Sequence, residues 1–214
     1  MKDSFFAFTD IFEFDVSKYT CFMRFEPGED ILKEGDQPLY LYYLINGRAK
    51  LYLTHENGKA TLINFLSAPC FIGEMELLDE KKRSDGVRAV SVCECYAVKV
   101  SECREKLLHD TKFLRYLCEF LSRKAVGNTS NYSRNQSYTL KSRLASFILE
   151  TSVNGMYREQ HTEVAEYLGV TYRHLLYVLA EFVKEGVLER TRSGYKIIDL
   201  ERLRDIDNHT VGKN

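Results

Sequence analysis

Hydrophobic residues follow two different spacings along the chain. Between residues 20 and 100, short runs of β-branched and aromatic residues recur, as in Tyr40–Ile45 and Ala49–Leu53, with turn-forming pairs between them. Many short strands with regular turns are typical of a closed or two-layered antiparallel fold. The pair Asn57-Gly58 predicts the clearest hairpin, because both residues tolerate the positive φ angles of a tight turn.

From Ser101 onward, hydrophobic residues recur every three or four positions, which is the spacing of one helical face. The stripe consists of Leu114, Leu117, Leu121 and Ala125. It predicts a helix that runs from about residue 111 into the 130s. The far half of that helix, residues 127–136, is polar and poor in helix formers, so we expect a hinge near residues 135–138.

The segment His161–Ala180 has the pattern of two short helices joined by a tight corner. Ala165 is small enough to let two helices approach, and Gly169 supplies the left-handed conformation that ends the first helix. Thr171 is a candidate cap for the second helix. A hairpin over residues 187–198 follows in the position of a wing. The pattern predicts a winged helix-turn-helix, a DNA-binding module, and the alternative is an ordinary helical hairpin.

The second helix of this motif presents candidate base-reading side chains near its N-terminus. Tyr172, Arg173 and Tyr177 are expected to contact base edges in the major groove. Arg173 suits guanine, which an arginine binds with two parallel hydrogen bonds, and the alternative for Arg173 is a phosphate contact. The candidate contacts to the DNA backbone are Thr162, Thr171, His174, Arg190, Arg192 and Lys196.

Composition narrows the classes of protein that this chain can represent. Of the 214 residues, 44% are hydrophobic, and the net charge of −1 excludes a chain that coats polyanions with its whole surface. No apolar run reaches the about 18 residues of a spanning helix, so we expect a cytoplasmic protein without a membrane partner. Because P-loop, G-x-S-x-G, H-E-x-x-H and H-x-H motifs are absent from the sequence, we expect neither an enzyme nor a metal site.

Motifs in both halves of the chain carry a resemblance to a known family. They are Pro27-Gly28, Ile45–Leu51, Phe71–Glu74 and Val87–Ala89, followed by the predicted long helix and the winged helix-turn-helix. Together they resemble the Crp/Fnr family of bacterial transcription regulators over nearly the full chain. The segments Ala68–Glu74 and Tyr172–Leu179 are similar to the YeiL-type branch of that family.

The resemblance implies an α+β fold in three parts. Residues 1–110 would form a double-stranded β-roll sensor like a cyclic-nucleotide-binding domain, residues 111–137 a long dimerisation helix, and residues 138–214 a winged helix-turn-helix that binds DNA. A homodimer paired through the helix would place two recognition helices about one DNA turn apart on a roughly palindromic operator. RNA polymerase is a further candidate partner. A change in the roll that alters the hinge would shift the population of DNA-binding dimers.

The cyclic-nucleotide pocket of the family has partial counterparts in this sequence. Gly73 and Glu74 match its ribose-binding pair, and Arg83 and Ser84 lie close to its phosphate-binding run. However, the spacing from Gly73 to Arg83 is one residue short, and Asp85 places a negative charge beside the phosphate position. We therefore expect no cofactor, and the alternative is a cyclic nucleotide held by these residues.

Two further hypotheses concern the sensor and the class of function. Cys93-Glu94-Cys95 on a predicted strand would point two thiols to one face, as a thiol redox sensor requires, whereas free cysteines are also common as small buried hydrophobes. In the alternative class of function, the chain is a ligand- or protein-binding sensor module whose C-terminal helices do not bind DNA. The salt dependence of binding to random duplex DNA separates the two classes, because phosphate contacts release counterions.

Overall fold

Two antiparallel sheets form the centre of the N-terminal part of the chain. The computed structural model describes residues 2–54 and 60–208 and divides into two units, Met1–Ala125 and Val126–Asn214. In those described residues, the first unit has the strands β1 (Thr20–Phe25), β2 (Asp30–Leu32), β3 (Tyr40–Asn46), β4 (Arg48–Thr54), β5 (Ala60–Ser67), β6 (Cys70–Ile72), β7 (Gly86–Ala89) and β8 (Cys93–Lys99). One sheet has the strand order β1-β8-β3-β6 and the other β2-β7-β4-β5, which confirms the predicted two-layered antiparallel fold.

The hairpin predicted at Asn57-Gly58 lies outside the described residues. The strands on either side of it, β4 and β5, pair antiparallel, and the pairing runs from Arg48 opposite Ser67 to Thr54 opposite Ala60. These two strands are therefore sequential neighbours at one edge of their sheet, as the sequence pattern indicates.

Two apolar cores stabilise the first unit. The first core lies between the two sheets and includes Leu44 of β3, Val87 of β7 and Cys95 of β8. The second core lies on the outer face of the β1-β8-β3-β6 sheet, where Tyr96 packs in one cluster with Phe113 of a covering helix. Because successive residues of a strand point to opposite faces, β8 supplies Cys95 to one core and Tyr96 to the other.

Helices cover this second core. They are α1 (Lys2–Thr9), a 3-10 helix (Val16–Tyr19), α2 (Glu74–Leu78), α3 (Val100–His109) and α4 (Thr111–Ser137). The bounds of α4 confirm the predicted helix from about residue 111 into the 130s. The chain leaves the helical conformation at Tyr138 and Thr139, where the Thr139 hydroxyl accepts a hydrogen bond from the backbone amide of Ser142 at 3.3 Å.

Leu117 departs from the role that the sequence pattern suggested. Its side chain is only 1% exposed and belongs to the second core, so it packs inside its own chain and cannot lie at a surface that pairs with a second copy. Leu114 and Leu121 are partly buried against the same core, whereas Cys118 and Ala125 are exposed. The accessible stripe of α4 is therefore Leu114, Cys118, Leu121 and Ala125, with Cys118 in place of Leu117.

The second unit combines helices with a small sheet. Its elements are α5 (Leu140–Thr151), β9 (Met156–Tyr157), α6 (His161–Tyr167), α7 (Tyr172–Lys184), β10 (Leu188–Thr191), β11 (Gly194–Ile197) and α8 (Leu200–Asn208). The sheet order is β10-β11-β9, and the turn between β10 and β11 confirms the predicted hairpin. Any side chain at Gly194 would overlap the carbonyl oxygen of Tyr157, so only glycine lets β11 approach β9 here.

The described helices include none that could span a bilayer. Across residues 2–54 and 60–208, no helix is both long enough and apolar enough to do so.

Candidate nucleic-acid interface and internal pocket

The corner between α6 and α7 has the geometry that its sequence predicts. Gly169 has a φ of +64°, and no atom within 4 Å would meet a Cβ there, so backbone conformation rather than space requires glycine. The backbone amide of Val170 donates to the carbonyl of Ala165 at 2.9 Å, which closes the end of α6. Thr171 caps α7, and its hydroxyl accepts a hydrogen bond from the backbone amide of His174 at 3.2 Å.

The helix α7 buries one face and exposes the other. Its buried side chains are Leu175, Val178, Leu179 and Phe182. Tyr172 and Tyr177 are 49% and 62% exposed, and Arg173 and His174 are also exposed. Among the described residues, Arg173 has no hydrogen-bond or ion-pair partner, so its guanidinium is available to a ligand. The structure therefore presents all three predicted base-reading side chains to solvent on one short helix.

The exposed face of α7 is longer than the sequence analysis indicated. Ala180 and Lys184 are exposed, and they continue the stripe of Arg173 and Tyr177 at helical spacing. Neither residue was selected from the sequence, because alanine carries no recognisable chemistry and Lys184 lies three turns from the helix start. Ala180 adds little bulk to the exposed face between Tyr177 and Lys184.

Basic side chains extend the exposed surface beyond α7. Arg190, Arg192 and Lys196 of the β10–β11 hairpin are exposed, and so is Thr162 in the first turn of α6. The His161 ring lies beside the buried Tyr157 ring with a centroid distance of 5.9 Å. Burial lowers the pKa of His161, and the nearby Arg190 lowers it further, so His161 is uncharged at neutral pH. His161 therefore adds no positive charge to this surface, whereas Arg190, Arg192 and Lys196 do.

A cavity of about 50 Å³ lies inside the β-roll beside α2 and α4. Its walls are apolar side chains such as Leu32 and Val87, and its charged groups form ion pairs with each other. Glu74 is 3% exposed and accepts a hydrogen bond from Lys124 Nζ of α4 at 2.6 Å. Burial raises the pKa of Glu76, whose carboxylate lies 3.8 Å from Lys82 Nζ.

Only two of the four residues of the predicted ligand pocket line this cavity. Gly73 and Glu74 line the cavity, but Arg83 and Ser84 do not. Arg83 is exposed, and its guanidinium lies 3.4 Å from the side-chain oxygen of Gln37. The Ser84 hydroxyl is buried against the carbonyl oxygens of Lys33 and Asp36, at 2.9 and 2.7 Å. The chain's own hydrogen bonds therefore occupy the groups that were candidates for a phosphate.

The cysteines of the sensor half are largely buried. Cys93 and Cys95 share one face of β8, as predicted, and both are 0% exposed in the core between the sheets. Burial raises the pKa of Cys93 to about 11 and that of Cys70 to about 12, and it also raises the pKa of Cys95. These thiols are therefore protonated and shielded, which favours the interpretation as small buried hydrophobes. The described residues contain no cluster that could hold a metal ion.

Family models match both units. The model described as "Cyclic nucleotide-binding domain" matches residues 22–110, and the model described as "Crp-like helix-turn-helix domain" matches residues 142–206. The second match spans the helix-turn-helix and the hairpin that were described above.

Curated proteins give similarities over the full chain and over part of it. "Regulatory protein YeiL" of Escherichia coli O157:H7 is 47% identical over 197 residues, which are 92% of this chain and 90% of that protein. "cAMP-activated global transcriptional regulator CRP" of Haemophilus influenzae is 28% identical over 120 residues. That match covers 55% of this chain and 53% of the H. influenzae protein.

Solved structures have the same fold. A transcriptional regulator of the CRP/FNR family from Thermus thermophilus has a TM-score of 0.72 at 20% identity, and the match covers 89% of this chain and 100% of that one. FixK2 from Bradyrhizobium japonicum has a TM-score of 0.66 at 19% identity, with 91% and 99% of the two chains covered. At these identities the likeness concerns the fold alone.

Proposed function

The chain belongs to the Crp/Fnr family of transcription regulators, and we propose that it acts as a homodimer on a roughly palindromic site in double-stranded DNA. The Crp-like helix-turn-helix domain argues against the alternative of a sensor module whose C-terminal helices do not bind DNA. The relatives of this chain are regulators rather than enzymes. The observation that carries the proposal is the exposed face of α7, with Arg173 free of partners among the described residues. We propose a cytoplasmic location, because a bacterial regulator that binds DNA acts in the compartment that holds the chromosome.

The accessible stripe of α4 supports the homodimer. Leu114, Cys118, Leu121 and Ala125 follow one another at intervals of four, three and four residues. This is the heptad spacing at which two parallel helices interdigitate their side chains. A two-fold axis along such a pair would relate two copies of α7, and therefore two half-sites of a palindrome.

Arg173 is the side chain we assign to direct base readout, with Tyr172 and Tyr177 beside it. An arginine near the N-terminus of a recognition helix can donate two parallel hydrogen bonds to guanine. Thr162, Thr171, His174, Arg190, Arg192 and Lys196 are assigned to the DNA backbone. The Thr171 hydroxyl already caps α7, so a phosphate would be a second partner for that oxygen.

Arg173→Ala is expected to weaken binding to the selected operator by about 1–3 kcal/mol and binding to random duplex much less. The operator is obtained by selection from a random duplex library, and affinities are measured by fluorescence anisotropy over a range of salt concentrations. Arg192→Ala is the matched control, because loss of a backbone contact weakens binding to all sequences alike and lowers the salt slope by about one. Equal losses on both DNAs for Arg173→Ala would make Arg173 a backbone contact.

We further propose that the roll works without a cyclic nucleotide or any other cofactor. The supporting observations are the outward position of Arg83, the occupied hydroxyl of Ser84 and the ion pair between Glu74 and Lys124. The cavity of about 50 Å³ is far smaller than a nucleotide needs. Asp85, which also lines the cavity, adds a carboxylate that repels a phosphate.

Cyclic AMP and cyclic GMP at millimolar concentration are expected neither to bind nor to change the operator affinity. Isothermal titration calorimetry measures binding, and the anisotropy assay measures operator affinity. Lys124→Met is the control that releases Glu74 while keeping the length of the side chain. We expect no nucleotide binding by this variant either, because it still lacks a phosphate site. Saturable binding by the wild-type protein would contradict the proposal.

Direct contact with RNA polymerase, expected if the protein activates transcription, stays a prediction. In vitro transcription from a promoter that carries the selected operator measures the direction of regulation.

A further inference from the structure

Arg143 of α5 contacts the turn between α6 and α7 of the helix-turn-helix. Its Nη1 donates a hydrogen bond to the carbonyl oxygen of Leu168 at 2.5 Å, across 25 residues of sequence. Leu168 is the residue that caps the C-terminal end of α6, immediately before Gly169 and the turn into α7. Arg143 is half-buried, and burial lowers the pKa of its guanidinium. The positively charged guanidinium of Arg143 is therefore partly shielded from solvent at the C-terminal end of α6.

The end of a helix is a suitable site for such a cation. The last carbonyl groups of α6 have no partners further along the helix, and the helix dipole places partial negative charge on them. An arginine that reaches them from another element satisfies one carbonyl and also ties the two elements together. In this chain, the tie joins α5 to the one turn whose conformation sets the direction of α7.

A second side chain of α5 holds the same end of α6. Phe147 lies four residues after Arg143, on the same face of α5, and its ring is 5.3 Å from the ring of Tyr167. Tyr167 is the last residue of α6, and Leu168 follows it directly. The hydrogen bond and the ring contact thus act on adjacent residues. The ring contact is not directional, whereas the hydrogen bond restrains the Leu168 carbonyl and hence the peptide plane before Gly169.

We propose that Arg143 is a positioning residue for sequence-specific DNA binding. By restraining the Leu168 carbonyl, it sets the entry angle of α7 and so the alignment of Arg173 and Tyr177 with base edges. This inference rests on the proposed function, because a recognition helix must exist for its alignment to matter. Base readout depends on alignment far more steeply than phosphate contacts do, since a bidentate hydrogen bond is directional and a charge interaction is not.

Arg143→Leu is expected to reduce affinity for the selected operator about tenfold or more, the equivalent of one lost charge-assisted hydrogen bond, and to change affinity for random duplex by less than about twofold. The salt slope is expected to stay unchanged, because Arg143 is not assigned to a phosphate. Arg143→Lys keeps a donor and is expected to restore part of the specificity. Fluorescence anisotropy on the two DNAs gives the specificity ratio, and circular dichroism gives the melting temperature of each variant.

Arg202→Leu is the matched control at the opposite end of α7. Arg202 of α8 donates a hydrogen bond to the carbonyl of Glu185, the residue that caps α7, at 3.0 Å. Both substitutions remove an arginine donor from the carbonyl at a helix end, and Arg202→Leu also removes an ion pair with the Glu185 carboxylate at 3.7 Å. Only Arg143 acts on the turn before the exposed face of α7. We expect Arg202→Leu to leave the specificity ratio unchanged. An equal loss of specificity in both variants would reduce Arg143 to a general contributor to fold stability.

Hydrogen exchange keeps the inference testable if Arg143→Leu is poorly folded. In Arg143→Lys, the amide of Val170, which bonds to Ala165 across the corner, is expected to exchange faster than in the wild-type protein. If the Val170 amide exchanges at the wild-type rate and the specificity ratio is unchanged, the positioning role of Arg143 is overturned but the proposed function is not. Failure of the wild-type protein to discriminate its selected operator from random duplex would instead overturn the proposed function. A smaller salt slope in Arg143→Leu would also overturn the inference, because it marks a phosphate contact.

Discussion

We expect Leu117→Ala to lower the free energy of unfolding of the N-terminal unit by about 2–5 kcal/mol, which is the usual cost of truncating a buried leucine. Leu117 is 1% exposed and lies in the core that Phe113 and Tyr96 share. Truncation removes apolar contacts and leaves a cavity that the surrounding aromatic rings fill only in part. Urea unfolding followed by circular dichroism at fixed protein concentration measures the change.

Ser122→Ala on the same helix is the control for Leu117→Ala. Ser122 is exposed, so its substitution is expected to change stability by less than about 0.5 kcal/mol. We expect Leu117→Ala to sediment like the wild-type protein wherever it is folded, because its side chain faces the interior. A loss of stability below about 1 kcal/mol, together with a change of association state, would place Leu117 at the subunit interface after all.

Leu121→Glu is expected to convert the dimer into a monomer at micromolar concentration. In a parallel pair of α4 helices, the two copies of Leu121 face each other, and two carboxylates in their place combine repulsion with the cost of burying charge. The half-buried position of Leu121 in a single chain leaves part of its surface for a partner. Sedimentation velocity over a concentration series measures the association state.

Arg123→Glu introduces the same side chain on the opposite face of α4. Arg123 is exposed and lies half a turn away from the Leu114–Ala125 stripe, so the dimer is expected to persist. Circular dichroism has to show that Leu121→Glu is folded before its sedimentation is interpreted. A folded Leu121→Glu variant that remains a dimer would mean that the two copies associate through another surface.

The winged helix-turn-helix was the element that the sequence predicted most completely. Its defining features act over a few residues: a glycine at a positive φ angle, a threonine one residue before α7, and inward apolar positions at helical spacing. Local conformational preferences of this kind do not depend on tertiary contacts, so they can be recognised from the sequence without coordinates. The sequence also predicted that Cys93 and Cys95 lie on one face of β8, because strand geometry has a period of two.

The stripe on α4 shows where local pattern stops being sufficient. Leu114, Leu117, Leu121 and Ala125 all lie within one broad apolar face, and a helix that packs on a core and also pairs with a partner needs such a face. Spacing alone cannot divide that face between two uses. The packing of Phe113 and Leu117 into the roll decides the division, and it leaves Cys118 on the accessible side.

The cavity of the roll shows the same limit for charged residues. Arg83 and Ser84 were selected for their type and their distance from Gly73, yet neither lines the cavity. The partner of Glu74 is Lys124, 50 residues later and on another element, and no local rule predicts that ion pair.

Features that depend on neighbouring residues were determined by the sequence by itself: the strands and their turns, the long helix, the capped recognition helix and its exposed Arg173. Pairings between distant segments were decided only by the tertiary structure: Leu117 within the core, Lys124 against Glu74, and Arg143 behind the corner at Leu168. The physical reason is that conformational preference is set within a few residues. The partner of a buried or charged side chain depends on which elements the topology brings together.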